Sequence, residues 1–136
     1  MSDSSRHVYD ISLDANSDRK GFFASSSLVT ATGFFRLPDL YKTLQSIVLP
    51  ELKKKGSIGI WSAGCSDGRE AYSVALLVQK WISQHPADNL CNFNLRASDI
   101  TDEMIRIGTR NEYEISKAEL DRLSGYRNYV SLTDDK

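Results

Sequence analysis

The segment from residue 58 to residue 73, IGIWSAGCSDGREAYS, constrains the fold more strongly than any other part of the chain. The segment begins within a short apolar run, SIGIWS, whose composition predicts a buried strand. The glycine-containing loop 64–68 follows, and apolar residues then recur at helical spacing from about residue 69 to residue 84. A strand that leads through a tight glycine loop into a helix is typical of α/β folds with a parallel sheet.

The residues after this helix predict a second strand and further helices. CNFNLRAS alternates between apolar and polar residues as a strand does, and it leads to Asp99. The run TDE at 101–103 resembles the beginning of a helix, and a short helix is expected between Ser116 and Gly125. The predicted class is therefore α/β, in the order strand, loop, helix, strand, helix.

The N-terminal part of the chain divides into a tail and a helix. Residues 1–27 are rich in Ser, Asp and Asn and predict a flexible tail, so the folded domain is expected to span residues 28–136. Apolar residues then recur every three or four positions from Leu40 to Leu52, which predicts a helix that Pro50 bends or splits.

Composition excludes several classes of protein. The formal net charge of −1 gives no general attraction to nucleic acid. Two cysteines are too few for a disulfide scaffold or a zinc site, and no metal is predicted. The N-terminus lacks the apolar core of a signal peptide, and the longest apolar run, SVALLV, is far shorter than the roughly 20 residues that span a bilayer. We therefore expect a cytoplasmic protein that does not insert into a membrane.

The loop sequence GCSDG allows two interpretations. It matches the G-x-S-x-G pattern that marks a serine nucleophile between a strand and a helix. An α/β-hydrolase needs an acid and then a histidine after that serine, but the histidines are His7, which precedes Ser66, and His85. The acids between Ser66 and His85 lie on the nucleophile's own loop and helix, so the order required for a hydrolase fails.

The second interpretation is a loop that holds a nucleotide-like cofactor. Gly64 and Gly68 allow the backbone to approach a ligand closely and to adopt positive φ angles. Asp99, 35 residues after Gly64, ends the next strand, where an ionised carboxylate can accept hydrogen bonds from both ribose hydroxyls. The same aspartate could instead cap the helix that begins near residue 101, and the pattern alone favours neither role.

Three motifs together resemble a known family. FFR at 34–36, IWSAGCSDGREAYSVALLV at 60–78 and ASDIT at 97–101 are similar to the CheR-type chemotaxis-receptor methyltransferases, over about residues 28–128. The resemblance implies a truncated Rossmann-like fold that binds S-adenosylmethionine. It also implies transfer of the methyl group to glutamate side chains in the cytoplasmic region of chemotaxis receptors, with S-adenosylhomocysteine as the product.

The resemblance assigns roles to particular positions. Arg36 would border the methyl-transfer site and hold the substrate carboxylate, although an arginine here could also be a surface residue at a helix start. Ser66 would shape the loop and would not be a nucleophile. Phe34 and Phe35 could pack on the adenosine or methionine part of the cofactor, but core packing is more common for paired aromatic residues, and Trp61 and Tyr72 are likewise expected in the core. The residues that would contact the cofactor are Thr32, Arg36, Ala63, Gly64, Glu70 and Asp99.

The chain also departs from the family pattern. Asp67 stands where the family has Thr, Ala71 where it has Pro, and Arg69 where it has a glutamate that is expected to bind the cofactor. An arginine beside a cationic sulfonium should weaken binding unless it points away, and Glu70 would compensate only in part. A catalytically degenerate module that binds the cofactor or a signalling partner is therefore the alternative function.

Two later family segments, N-L and C-R-N-x-x-I-Y-F, have no counterpart in the sequence, which therefore resembles the front half of the catalytic domain. The predicted two-stranded sheet would leave strand edges and apolar surface uncovered. We accordingly expect the chain to form a homodimer, with edge strands paired, or to be part of a longer protein that supplies the missing half.

Overall fold

Three parallel strands form the sheet in the part of the chain that the structure describes. The computed structural model describes the backbone of residues 10–15, together with residues 32–86 and 92–133. Strand β1 spans Asp10–Ala15, β2 Ser57–Ala63 and β3 Asn92–Asp99, and their order in the sheet is β1–β3–β2. Ala63 lies opposite Ser98, and Ala15 lies opposite Asp99, so all three strands end at the same edge of the sheet.

Helices occupy most of the remaining described residues. None of these helices has the length and apolarity needed to cross a membrane. The succession strand, loop, helix, strand, helix is present as predicted, and the α/β class with a parallel sheet is confirmed. The helical elements are α1 (Pro38–Thr43), a π-helical turn (Leu44–Val48), α2 (Leu49–Lys54), α3 (Arg69–Gln84), α4 (Asp102–Arg110), α5 (Lys117–Arg122) and a 3₁₀ segment (Leu123–Tyr129).

The helix before β2 is interrupted close to Pro50, as its sequence predicts. Pro50 has no backbone N–H to donate, so the regular α-helical ladder cannot continue through it. The π-helical turn at Leu44–Val48 immediately precedes α2, which ends at Lys54 with Lys55 as its C-cap, and a left-handed Gly56 follows. Leu49 and Tyr41 are the buried residues of this helical segment.

The core lies between one face of the sheet and helix α3. Along β3, Phe93, Leu95 and Ala97 are buried and alternate with exposed residues, as expected for a strand with one face covered. Seven residues of α3 are buried, and Phe34 and Phe35 join the same core, as predicted. The buried residues of α3 are Ala71, Ser73, Val74, Leu76, Leu77, Val78 and Trp81.

One prediction about an aromatic residue is corrected by this arrangement. Trp61 was expected in the core, but it lies on the outward face of β2, where it is 67% exposed and its indole N–H donates to Ser98 Oγ at 3.0 Å. The reason is strand alternation, since Ser62 takes the inward position instead. Tyr72 is half-buried and packs against the core, as predicted, and its hydroxyl donates a hydrogen bond to the carbonyl of Gly108.

Strand β1 lies within the segment that the sequence analysis predicts to be a flexible tail. Ile11, Leu13 and Ala15 alternate with polar residues, which is the pattern of a strand. The pattern is weak because the surrounding residues 1–27 are mostly polar. The strand pairs with β3, so the expectation of a two-stranded sheet is wrong. The rest of the predicted tail, apart from residues 10–15, lies outside the described residues, and the boundary at residue 28 stays a prediction.

Candidate functional site

The glycine loop turns sharply at the carboxyl edge of the sheet. Gly64 and Gly68 have φ angles of 73° and 93°, and Ser66 adopts 52°, so three of the five loop residues lie in the left-handed region. The N–H groups of Gly64 and Cys65 both donate to the carbonyl oxygen of Ser98, at 2.8 and 2.9 Å. The loop is therefore fixed to the end of the neighbouring strand β3.

Asp99 joins the glycine loop to helix α4. Its Oδ2 accepts the backbone N–H of Ser66 at 2.8 Å, and its Oδ1 accepts the backbone N–H of Thr101 at 2.9 Å. The second contact closes a turn ahead of α4, whose N-cap is Thr101, so Asp99 does not itself cap the helix, while the first contact ties the carboxylate to the loop. Each carboxylate oxygen has a further lone pair, so Asp99 retains the capacity to accept hydrogen bonds from a ligand.

The surface beside Asp99 is open where the resemblance expects the cofactor. Ala63 and Gly64 are exposed, and a Cβ placed on Gly64 would meet no atom within 4 Å. Glu70, in the first turn of α3, accepts the hydroxyl of Ser62 at 2.8 Å. Four predicted site residues, Ala63, Gly64, Glu70 and Asp99, thus lie around the same edge of the sheet.

The other two predicted residues flank a strained turn at 33–36. Phe35 has a φ angle of 50°, which is rare for a bulky residue and costs on the order of 1–3 kcal/mol. Its N–H donates to Ser73 Oγ at 2.9 Å, and Ser73 Oγ in turn donates to the carbonyl of Arg69. The turn therefore lies against the first turn of α3, with Thr32 half-buried before it and Arg36 exposed at its end.

Arg69 directs its guanidinium toward the segment after α4. Its Nη1 donates to Glu119 Oε1 at 3.1 Å, its Nη2 donates to the carbonyl of Glu114 at 2.9 Å, and its Nε lies 3.3 Å from Asp67 Oδ2. The guanidinium also lies 5.2 Å from the ring centroid of Tyr113. Two neighbouring carboxylates thus offset the positive charge that departs from the family pattern.

Glu119 is a buried carboxylate that the sequence analysis did not identify. It is 5% exposed and accepts hydrogen bonds from the N–H groups of Phe34 and Ser116 and from Arg69. Burial acts to raise its pKa, but the backbone donors of Ser116 and Phe34 and the charge of Arg69 outweigh burial and hold the pKa below its ordinary value. The S-x-x-E pattern of a capping box at 116–119 was a readable local signal, whereas the contacts to Phe34 and Arg69 were not.

Tyr113 supports the loop from the same side. Its hydroxyl donates to the carbonyl of Asp67 at 2.7 Å, and burial raises its pKa. Gly68 leaves room for this ring, since a Cβ on Gly68 would lie 3.1 Å from the Tyr113 hydroxyl. Asp67, the second departure from the family pattern, is therefore part of one packed unit with Arg69 and Tyr113.

The loop offers no activated nucleophile. Cys65 is buried, and burial, followed by the charge of Asp99, raises the pKa of its thiol to about 11, so the thiol is neutral at physiological pH. His85 lies at the far end of α3 from Ser66, stacked on Trp81 with ring centroids 4.5 Å apart. Within residues 32–86 and 92–133, no three His, Cys, Asp or Glu side chains form a group that could hold a metal ion.

Comparisons with known proteins agree on one family. The family described as "CheR methyltransferase, SAM binding domain" matches residues 30–136. A chemotaxis protein methyltransferase of Listeria monocytogenes is 26% identical over 99 residues, which cover 71% of this chain and 36% of that protein. A probable chemotaxis protein methyltransferase of Rhizobium etli is 37% identical over 92 residues, covering 65% and 33% respectively. The chain thus spans about a third of the length of these relatives.

Proposed function

The chain belongs to the family of CheR methyltransferase SAM-binding domains, and from this membership we propose that it binds S-adenosylmethionine over the glycine loop for the methylation of glutamate side chains in chemotaxis receptors. The observation that carries the proposal is the position of Asp99, which ends β3 and accepts the N–H of Ser66 in the loop. We further propose that residues 28–136 form part of a Rossmann-like methyltransferase domain, which the parallel sheet supports.

Each proposed cofactor contact has a chemical reason. The Asp99 carboxylate would accept the ribose hydroxyls with the lone pairs that Ser66 and Thr101 leave available. The exposed backbone of Ala63 and Gly64 would lie along the amino-acid part of the cofactor. Glu70 would supply negative charge opposite the cationic groups of S-adenosylmethionine. Thr32 and Arg36 would close the site from the turn 33–36.

Methyl transfer to a carboxylate requires the protein mainly to align the two reactants. S-adenosylmethionine supplies a methyl group on a positively charged sulfur. A glutamate with an ordinary pKa of about 4.3 is ionised at neutral pH, so its carboxylate oxygen needs no general base. Arg36 is exposed and would hold this carboxylate in a charge-assisted hydrogen bond, so that the attacking oxygen is oriented before the reaction.

The alternative is a degenerate module that binds the cofactor without catalysis, or that binds only a signalling partner. One observation favours it. At position 69, where the resemblance expects an acidic cofactor ligand, the chain has an arginine whose donors bond the Glu119 carboxylate and the backbone carbonyl of Glu114. Glu70 is then the acidic residue that remains for the cofactor in the first turn of α3.

Calorimetric titration with S-adenosylmethionine and S-adenosylhomocysteine tests the binding proposal. We expect saturable binding of both, and a loss of roughly 10- to 100-fold in affinity for Asp99→Ala, because hydrogen bonds to a charged acceptor are removed. Asp39→Ala is the matched control, since the Asp39 side chain is 99% exposed on α1. Absence of binding by the folded wild-type chain, or unchanged affinity in Asp99→Ala, would contradict the proposal.

A transfer assay separates the enzyme from the degenerate module. The chain is incubated with radiolabelled S-adenosylmethionine and membranes that contain chemotaxis receptors. Base-labile label on the receptors indicates an active methyltransferase, and its loss in Arg36→Ala supports the proposed role of Arg36. Binding without any transfer supports the degenerate module instead.

A further inference from the structure

Two segments of the candidate site meet through one pair of charged side chains. Arg69 Nη1 and the backbone N–H of Phe34 both donate to the same oxygen, Glu119 Oε1, each at 3.1 Å. Arg69 follows directly after the glycine loop, and its Nε lies 3.3 Å from Asp67 in that loop. The contact between Arg69 and Glu119, here termed the 69–119 bridge, therefore connects loop 64–68 with the turn 33–36.

The bridge is built to hold a fixed geometry. The side chain of Glu119 is 7% exposed and that of Arg69 is 19% exposed, so water competes weakly for their hydrogen bonds. The guanidinium carbon lies near two aromatic rings, 5.2 Å from the ring centroid of Tyr113 and 5.8 Å from that of Phe34. The planar guanidinium donates to one carboxylate and one carbonyl at once, while its Nε lies 3.3 Å from the Asp67 carboxylate without a hydrogen bond to it, and a lysine cannot reproduce this arrangement.

The turn needs such support because its backbone is strained. The left-handed φ of 50° at Phe35 persists only where surrounding contacts hold it, and the N–H of Phe34 to Glu119 and that of Phe35 to Ser73 are two such contacts. Arg36, at the end of the turn, takes its position from them. A change at residue 69 would therefore reach Arg36 and Thr32 through Glu119.

We propose that Arg69 is a positioning residue, which through the 69–119 bridge holds the turn 33–36 and the glycine loop at the spacing required by one bound cofactor. The inference rests on the proposed function and goes beyond it. It assigns a structural purpose to the charge reversal at position 69, and it places no contact between Arg69 and the cofactor.

The test compares variants of position 69 in the 136-residue chain by calorimetric titration with S-adenosylhomocysteine. We expect Arg69→Met to weaken binding about tenfold, because a charge-assisted bridge is lost. Arg69→Lys should recover part of that loss, since one contact to Glu119 remains possible. Arg69→Glu should bind more weakly than Arg69→Met, because a third carboxylate then faces Asp67 and Glu119.

Two controls separate positioning from charge and from stability. Lys54→Met removes the same charge from a lysine that is 71% exposed on α2, and its affinity should equal that of the wild type. Val78→Ala destabilises the core from a fully buried position nine residues after Arg69 on α3, and its affinity should also be unchanged below its melting temperature.

The outcomes distinguish this inference from the proposed function. If the folded wild-type chain binds no S-adenosylhomocysteine, the proposed function fails and the inference fails with it. If the wild type binds and the folded Arg69→Met variant binds equally well, the inference alone is wrong. Tighter binding by Arg69→Glu would also overturn it, because position 69 would then contact the cofactor directly. Should Arg69→Met fail to fold, the comparison of Arg69→Lys with the wild type decides by the same criterion.

Discussion

Replacement of Glu119 by alanine should destabilise the protein more than any surface substitution. Glu119 accepts four hydrogen bonds, from Phe34 N at 3.1 Å, Arg69 Nη1 at 3.1 Å, Ser116 N at 3.0 Å and Ser116 Oγ at 3.1 Å. Alanine leaves the buried N–H of Phe34 without its acceptor and deprives Arg69 of one of its two carboxylates. Removal of one partner of a buried ion pair costs about 3–5 kcal/mol.

We expect the lower end of that range, because Arg69 keeps its contacts with Asp67 and with the carbonyl of Glu114. A loss of about 3 kcal/mol corresponds to a decrease in Tm of about 10 °C for a domain of this size. Thermal unfolding followed by circular dichroism measures the change. Glu51→Ala is the matched control: its contact with Lys54 is shorter, at 2.6 Å, but the Glu51 side chain is 62% exposed, so no measurable change is expected.

The pH dependence of stability provides a second test of the contribution of Glu119. In the folded state, the pKa of Glu119 lies below its ordinary value of about 4.5. The contribution of this carboxylate to the free energy of unfolding is therefore fully present above that ordinary value and is lost as the pH falls through the folded-state pKa. The difference in Tm between wild type and Glu119→Ala should therefore shrink in acid. A Tm of Glu119→Ala within about 2 °C of the wild type at neutral pH would refute the structural account of the bridge.

Three further predictions concern the loop and the sheet. Gly68→Ala should destabilise the protein by about 1–2 kcal/mol in urea unfolding, because φ is 93° and the added Cβ would lie 3.1 Å from the Tyr113 hydroxyl; equal stability would contradict the loop geometry. Cys65, whose pKa is raised to about 11 by burial, should resist alkylation at pH 8 in the folded state and react after denaturation, as mass spectrometry would detect. β2 is an edge strand of the sheet, and its pairing with β2 of a second copy would form a dimer, which light scattering would detect. A monomer would contradict this pairing.

The sequence predicts the elements of this fold better than their contacts. SIGIWS, the glycine loop and the helical spacing after it are local signals, and β2, the loop and α3 follow them closely. The prediction of a core position for Trp61 is wrong because strand alternation puts its side chain on the outward face of β2. The sequence does not predict β1, because three alternating apolar residues in a polar segment form a weak pattern.

The candidate site shows the same limit. Motif resemblance placed Asp99 beside the glycine loop, and the hydrogen bond to Ser66 brings the two together. The orientation of Arg69 could not be predicted, because it depends on Glu119, which lies 50 residues later in the chain. Glu119 carried a visible capping signal, but its contact with Phe34 depends on tertiary packing.

The central claim is that the S-adenosyl cofactor, before or after loss of its methyl group, binds between the glycine loop and Asp99. Amide chemical shifts of the ¹⁵N-labelled chain during titration with S-adenosylhomocysteine test it most directly. We predict saturable changes concentrated at residues 63–68, at 99–101 and in the turn 33–36, with small changes near His85 at the far end of α3. No saturable change in the folded chain, or changes concentrated near His85, would contradict the claim.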